Sequence, residues 1–158
     1  MNDAAQMNDL VTTILCGTDG SADARRAVDY AARLAAQLNA SVVLVHAMGL
    51  LEDLPMDPAA PDITIGQWAT AQLSSEWSAP LRDRGVTHEC VAENGPPLLV
   101  LPRIVERVGA DLLVVASHGR GASSALPLGS TAHGMVQLAP CPVLVVPRNT
   151  CLPSYGSA

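Results

Sequence analysis

Asp111-Leu112-Leu113-Val114-Val115-Ala116 runs directly into Ser117-His118-Gly119-Arg120-Gly121-Ala122-Ser123-Ser124. After the opening aspartate the run is apolar at every position, which reads as a short strand buried on both faces. That is the habit of a parallel sheet; a half-exposed antiparallel strand alternates. The loop of glycine and serine that follows leads to Leu128-Gly129-Ser130-Thr131, where a helix is predicted over about Ser130 to Leu138. A strand, a glycine-rich loop and a helix start form the local arrangement in which backbone N–H groups and the positive end of a helix dipole face an anion.

The same alternation extends outward in both directions. Upstream, strands are predicted at Thr12 to Gly17, Ser41 to Ala47 and Val86 to Ala92, and downstream at Val143 to Val146, after the helix is halted by Ala139-Pro140-Cys141-Pro142. Between them lie amphipathic stretches. Ser21 is placed as an N-cap, with Ala24, Ala27, Val28, Ala31, Leu34, Ala35 and Leu38 following at helical spacing and Asn39 suited to a left-handed end. A second helix is predicted from Ile65 to Arg84 with Pro80 as an early stop; Trp68, Leu73, Trp77 and Leu81 are its core candidates, the two tryptophans on one face. Pro96 and Pro97 open a third, in which Pro102 predicts a kink or a start delayed to Pro102 itself. Gly49 to Ile63, carrying Pro55, Pro58 and Pro61, is predicted as a long surface loop. The chain is thus predicted as one α/β domain over residues 11–148, with tails at 1–10 and 149–158.

Composition narrows the function. The chain has 158 residues, 49% of them hydrophobic, and a formal net charge of −6, so it holds enough apolar side chain for a core and too few cations for a nucleic-acid or anionic-membrane footprint. All nine basic residues are arginine, which excludes lysine Schiff-base chemistry and a Walker-A lysine. No apolar run approaches the ~20 residues that cross a bilayer, and the polar, acidic start lacks a secretory pattern, so a cytoplasmic location is expected. Cys16, Cys90, Cys141 and Cys151 have neither C-x-x-C nor metal-ligand spacing and read as reduced thiols. There is no G-x-S-x-G elbow for a hydrolase triad.

Ligands of an open parallel sheet bind beyond the carboxyl ends of its strands, where the strand order reverses. The residues there after the first and fourth strands are Gly17-Thr18-Asp19-Gly20-Ser21 and the segment from Ala116 to Thr131. Arg120 is the one formally charged residue between Asp111 and Arg148, and it sits in this loop, where it can meet phosphate oxygens. His118 has no evident carboxylate to orient it and reads as a solvated loop residue. Asp19 alone makes a weak Mg²⁺ site unless substrate phosphates complete it.

Ala116-Ser117-His118-Gly119, nine residues, then Gly129-Ser130-Thr131 resembles the G-x2-G-x9-G-[ST] signature of the ATP-binding branch of the universal stress protein family. Asp19-Gly20-Ser21, the second-strand run ending in His46, the Gly95 turn, Gly109-Ala110-Asp111-Leu112 and Ala139-Pro140-Cys141-Pro142-Val143-Leu144-Val145-Val146-Pro147 match in the same order. The resemblance implies a Rossmann-like five-stranded parallel sheet of order 3-2-1-4-5 with helices on both faces. It further implies that Asp19 meets the ribose, that the Val42 backbone reads the adenine edge, and that Gly119, Gly129, Ser130 and Thr131 hold phosphates. Gly17, Thr18, Ser117 and Arg120 complete the expected site. Ala116 stands where the signature has its first glycine, and a methyl there would crowd a ligand if the backbone needed a positive φ. The implied ligand is ATP, with Mg²⁺ held through the phosphates. A homodimer through Val143 to Val146 and signalling to a protein partner are expected, with slow ATP hydrolysis or a nucleotide-free interaction role as the alternatives.

Overall fold

In the computed structural model, which describes residues 10–50, 53–120 and 125–149, five parallel strands form one sheet. They are β1 (Thr13–Gly17), β2 (Ser41–Ala47), β5 (His88–Glu93), β6 (Leu112–Ala116) and β7 (Val143–Val146), in the order β5-β2-β1-β6-β7. Counted along the main sheet this is 3-2-1-4-5, as expected. Most of the two tails, residues 121–124 and Cys151 lie outside the described residues.

The sheet separates two cores. On one face Ile14, Cys16, Val42, Leu44 and Val114 pack against α1 (Ala22–Leu38) and the helical stretch of residues 65–83. On the other, Leu15, Val43, Val45, Leu113 and Val115 pack against α4 (Pro97–Val108) and α5 (Ser130–Leu138). Alternation of side chains along β1 therefore feeds both cores, which is why its sequence is apolar throughout. The buried stripe of α1 is mostly alanine, and such small side chains let the helix lie close to the sheet. Ser21 caps it by accepting from the Ala24 N–H at 3.1 Å, and Asn39 closes it at φ 55°. At the amino ends of the strands, Asp111 Oδ2 accepts from the Thr12 and Thr13 N–H groups and the Thr12 hydroxyl. β1 begins at Thr13, one residue later than the sequence pattern suggests.

Three expectations are corrected. The segment from Gly49 to Ile63 is no plain loop: β3 (Pro55–Asp57) and β4 (Ala60–Thr64) form an antiparallel hairpin. One of its prolines, Pro58, sits in the turn itself. Pro58 presets φ there, and Asp57 Oδ1 accepts from the Ala59 N–H at 2.8 Å. In the third helix, α4 begins at Pro97 and runs through Pro102, which gives up one hydrogen bond in the second turn without delaying the start. Glu93 at the end of β5 takes both Arg103 and Arg107 of α4 and helps seat it.

The third correction concerns residues 65–83. Helix α2 (Ile65–Gln72), capped reciprocally by Thr64 and Gln67, passes into a π-helical turn at Leu73–Trp77 and then α3 (Ala79–Asp83). Pro80 sits at the start of α3, where its missing N–H is not needed, so it opens a helix instead of ending one. Nine residues are about two and a half turns of regular α-helix, which would put Trp68 and Trp77 on opposite faces. The π turn winds less per residue and brings the rings edge to face at 5.9 Å. Serine hydroxyls take up carbonyls around it: Ser74 bonds to Thr70 and Ser75 to Ala71.

Trp77 in turn lies on Gly20, in the turn between β1 and α1, and meets the His46 ring edge at 5.2 Å. Gly20 has φ 75°, and any Cβ there would run into the indole. Gly20→Ala should therefore destabilise the protein by about 2 to 4 kcal/mol in urea unfolding, from backbone strain and overpacking together. On a Trp77→Leu background, where the indole no longer fills that space, the same Gly20→Ala change should cost only about 1 kcal/mol relative to Trp77→Leu alone.

Candidate functional site

β1 and β6 are adjacent, but the chain after β1 turns to a helix on one face and the chain after β6 to a helix on the other. The carboxyl ends of the two strands thus open a crevice. A cavity of about 540 Å³ occupies it. Gly17, Thr18 and Asp19 enter it from β1; Ala116, Ser117, Gly119 and Arg120 from β6; and Gly129, Ser130 and Thr131 from the start of α5. Ten of the eleven residues singled out in the sequence are brought together there.

Val42 is the exception and is corrected. It lies near the amino end of β2, paired with Ile14 and His88, is 1% exposed, and donates its N–H to the Thr87 carbonyl. A strand residue with its edges consumed by both neighbours has nothing left to offer a ligand. The β2 residues at the cavity are Val45 and Ala47. Ser41 donates to Thr12 on the β1 side, and the Val45 carbonyl accepts from Thr18 there. By the alternation of a parallel ladder Ala47 turns its N–H and carbonyl to the same side, past the last β1 pair, Gly17 with Val45. Its backbone therefore faces the crevice.

Sequence reading also missed the apolar wall. Pro96, Pro97, Leu98 and Leu101, at the start of α4, also line the cavity. They follow β5, so inspecting the carboxyl ends of every strand, and not of two, would have found them.

The polar half is built on two constraints. Asp19 Oδ1 accepts from the Ser21 N–H at 2.9 Å and Oδ2 from the Arg120 N–H at 2.7 Å. Desolvation pushes the Asp19 pKa up, but hydrogen bonds from Ser21 and Arg120, with the Arg120 charge nearby, outweigh it and hold the carboxyl below its ordinary range. The second constraint is steric. A Cβ on Gly119 would stand 2.5 Å from Asp19 Oδ2, and one on Gly129 would stand 3.2 Å from both the His118 Cα and the Ser117 carbonyl oxygen, to which the Gly129 N–H donates at 2.6 Å. Gly129 is also the N-cap of α5, with extended backbone and no side chain to accept from the first-turn N–H groups. Ser130, Thr131 and Ala132, the first turn of that helix, line the cavity, and a helix start presents its unpaired N–H groups at that end. Ala116 ends β6 without a positive φ, so its methyl imposes no backbone strain.

His118 is not solvated: it is 8% exposed, with Nδ1 2.9 Å from Ser117 Oγ and Nε2 2.7 Å from the Leu126 carbonyl oxygen. The sequence could not show this, because Leu126 meets the ring only by the fold of the intervening loop. His46 Nδ1 donates to the Thr18 carbonyl at 2.9 Å and supports the β1 turn from below. Cys16, Cys90 and Cys141 are free thiols; burial pushes Cys16 up to about 12, so it serves as packing. Among the described residues no three His, Cys, Asp or Glu side chains gather in a metal-binding group, and no helix is long and apolar enough to cross a membrane.

A model of the universal stress protein family matches residues 11–147. A universal stress protein of Thermus aquaticus is 32% identical over 135 residues, 85% of this chain and 97% of that one. One from Bacillus subtilis is 27% identical over 143 residues, covering 84% and 97%. Among solved structures, a universal stress protein in complex with cAMP is similar with a TM-score of 0.67 at 28% identity, over 86% of this chain and 96% of that one.

The lowered pKa of Asp19 sets a pH dependence. Its folded pKa lies below the unfolded value of about 3.9, so its contribution to stability is complete above that pH and is lost as pH falls through the folded value. Asp19→Asn turns an amide donor toward one of the two N–H groups and should destabilise by about 1 kcal/mol or more at pH 7. In urea unfolding at a series of pH values, the gap between wild type and variant should narrow steadily below about pH 4.

Proposed function

This chain belongs to the universal stress protein family, and on that premise we propose that it binds an adenine nucleotide in the crevice between the ends of β1, β2 and β6. The observation that carries the reading is the uncapped first turn of α5, whose N–H groups face a cavity of nucleotide size with Gly119 and Gly129 closing its floor. Phosphates sit on those N–H groups and on the Ser130 and Thr131 hydroxyls, with Arg120 as the nearby cation. Asp19 uses the lone pairs left after Ser21 and Arg120 to accept from ribose hydroxyls.

The base lies against Pro96, Pro97, Leu98 and Leu101, with its edge toward the Ala47 backbone. An N–H and a carbonyl side by side complement adenine, which offers a ring acceptor next to an amino donor. Guanine presents the reverse pair at those atoms, so it leaves two buried polar groups unmatched. Ala47 thus takes the role assigned to Val42 on resemblance. ATP is the nucleotide proposed, as in the signature's branch of the family. Mg²⁺ would be held by the phosphates with at most Asp19 from the protein, which supplies charge neutralisation. The relative that carries cAMP supports an adenine ligand in this fold. Occupancy signals to a protein partner, in the cytoplasm.

Calorimetric titration tests the reading. ATP should bind at least tenfold more tightly than GTP. Gly129→Val, which puts methyl groups into the phosphate floor, should lose more affinity than Ser130→Ala, which deletes one hydroxyl bond of about 0.5 to 1.5 kcal/mol. Equal affinity for the two nucleotides, or equal small losses in the two variants, overturns it.

The homodimer proposal rests on β7. Among the described residues this strand pairs with β6 alone, and it carries Val143-Leu144-Val145-Val146, uncharged and without a bulge. Natural sheets seldom leave such an edge bare, and antiparallel pairing with a second copy across a two-fold axis covers both edges at once. Sedimentation at micromolar concentration should give about twice the monomer mass, and Leu144→Lys should halve it; a monomeric wild type overturns the proposal.

A further inference from the structure

Two hydrogen bonds among the described residues tie the base of the loop between β6 and α5. One joins the Gly129 N–H to the Ser117 carbonyl at 2.6 Å. The other comes from a side chain: His118 Nε2 lies 2.7 Å from the carbonyl oxygen of Leu126, eight residues on. A carbonyl can only accept, so Nε2 carries the hydrogen; in the neutral ring Nδ1 is then an acceptor, and the Ser117 hydroxyl donates a hydrogen bond to it across 2.9 Å. Both ring nitrogens are satisfied in a site 8% exposed, and the ring has one orientation that does this.

The geometry points to His118 as a positioning residue that pins the far limb of the loop, and thereby holds Gly119 and the Arg120 N–H at the phosphate end of the site. The inference rests on the nucleotide reading given above. Two features make the clamp consequential. Arg120 N–H reaches Asp19 across 101 residues of chain, so slack in the loop is slack in the contact between the two halves of the site. The limb also leads from Leu126 to the N-cap Gly129, whose N–H bonds the Ser117 carbonyl and whose Cα packs on His118, so the His118 and Gly129 bonds hold neighbouring points of one limb against the end of β6. His118 also borders the cavity, but among the described residues its ring nitrogens bond only to Ser117 and Leu126, within the loop and its root. With both ring nitrogens so engaged, its effect on a ligand passes through backbone position, falling on phosphate and sparing base and ribose.

Two substitutions separate the two arms of the ring. In His118→Asn the amide sits at about the reach of Nδ1, can still meet Ser117, and falls short of Leu126. In His118→Gln the amide N–H extends to about the reach of Nε2 and can restore the Leu126 bond. The first readout is limited trypsin digestion with mass identification of the fragment ending at Arg120. His118→Asn should be cut there at least tenfold faster than wild type, and His118→Gln within about threefold of it. The second is titration with ATP and with adenosine: His118→Asn should lose at least fivefold more affinity for ATP than for adenosine. Equal cleavage at Arg120 in wild type and both variants overturns the clamp whatever binds, and so does an equal loss for ATP and adenosine. If wild type binds neither ligand, the nucleotide reading fails, and the proteolysis alone still decides the clamp. If His118→Asn does not fold, as judged by circular dichroism, His118→Phe, which keeps a ring and loses both bonds, takes its place: cleavage at Arg120 at least tenfold faster than in His118→Gln upholds the clamp, and equal cleavage in the two overturns it.

Discussion

The Asp19 carboxylate joins two loops that lie 101 residues apart in the chain. One oxygen holds the turn into α1 through Ser21, and the other holds the loop after β6 through the Arg120 N–H. Almost everything polar in the crevice is referred to this carboxylate. It is held in its charged form by those same donors in spite of partial burial. Beneath it the turn is fixed by His46 on the Thr18 carbonyl and by Trp77 on Gly20. The π-helical turn that puts Trp77 in that place is a feature of the site's foundation as much as of the helix.

The repeating units of the fold were legible because strand and helix periods alternate cleanly in the sequence and both cores draw on the same strands. What failed had physical reasons. Proline-rich Gly49 to Ile63 signals turns, and one turn flanked by short extended segments is enough for a hairpin. Pro102 breaks one hydrogen bond, and packing of Leu101, Ile104 and Val105 into the core outweighs that loss. The tryptophan pair depends on an irregular winding that no period encodes.

The site was legible in its polar half and obscure in its apolar half for a related reason. Glycine, serine and aspartate after a strand stand out against an aliphatic background. Ala47 and the Pro96 to Leu101 wall are indistinguishable by residue type from core. The error at Val42 shows the same thing from within one strand: Val42 through Val45 look alike, and only the level at which β1 stops decides which β2 backbone is open. The burial of His118 was likewise out of reach, since its partner is a backbone carbonyl and carries no side-chain signature.

On the proposed reading, a chain without lysine and with Arg120 as the single charged side chain of its glycine-rich loop would meet an anion mainly with backbone N–H groups. A lysine side chain can stretch or swing to a displaced phosphate; a helix terminus cannot. Such a site places its tolerance in the distances between backbone segments, which explains why its two tight contacts are both glycines. Gly119 lets the loop lie against Asp19, and Gly129 lets the start of α5 lie against Ser117 and His118. The Asp19 bond to Arg120 and the bare Cα of Gly119 next to the same oxygen are then two sides of one constraint. The first pulls the loop inward, and the second permits the distance at which it stops.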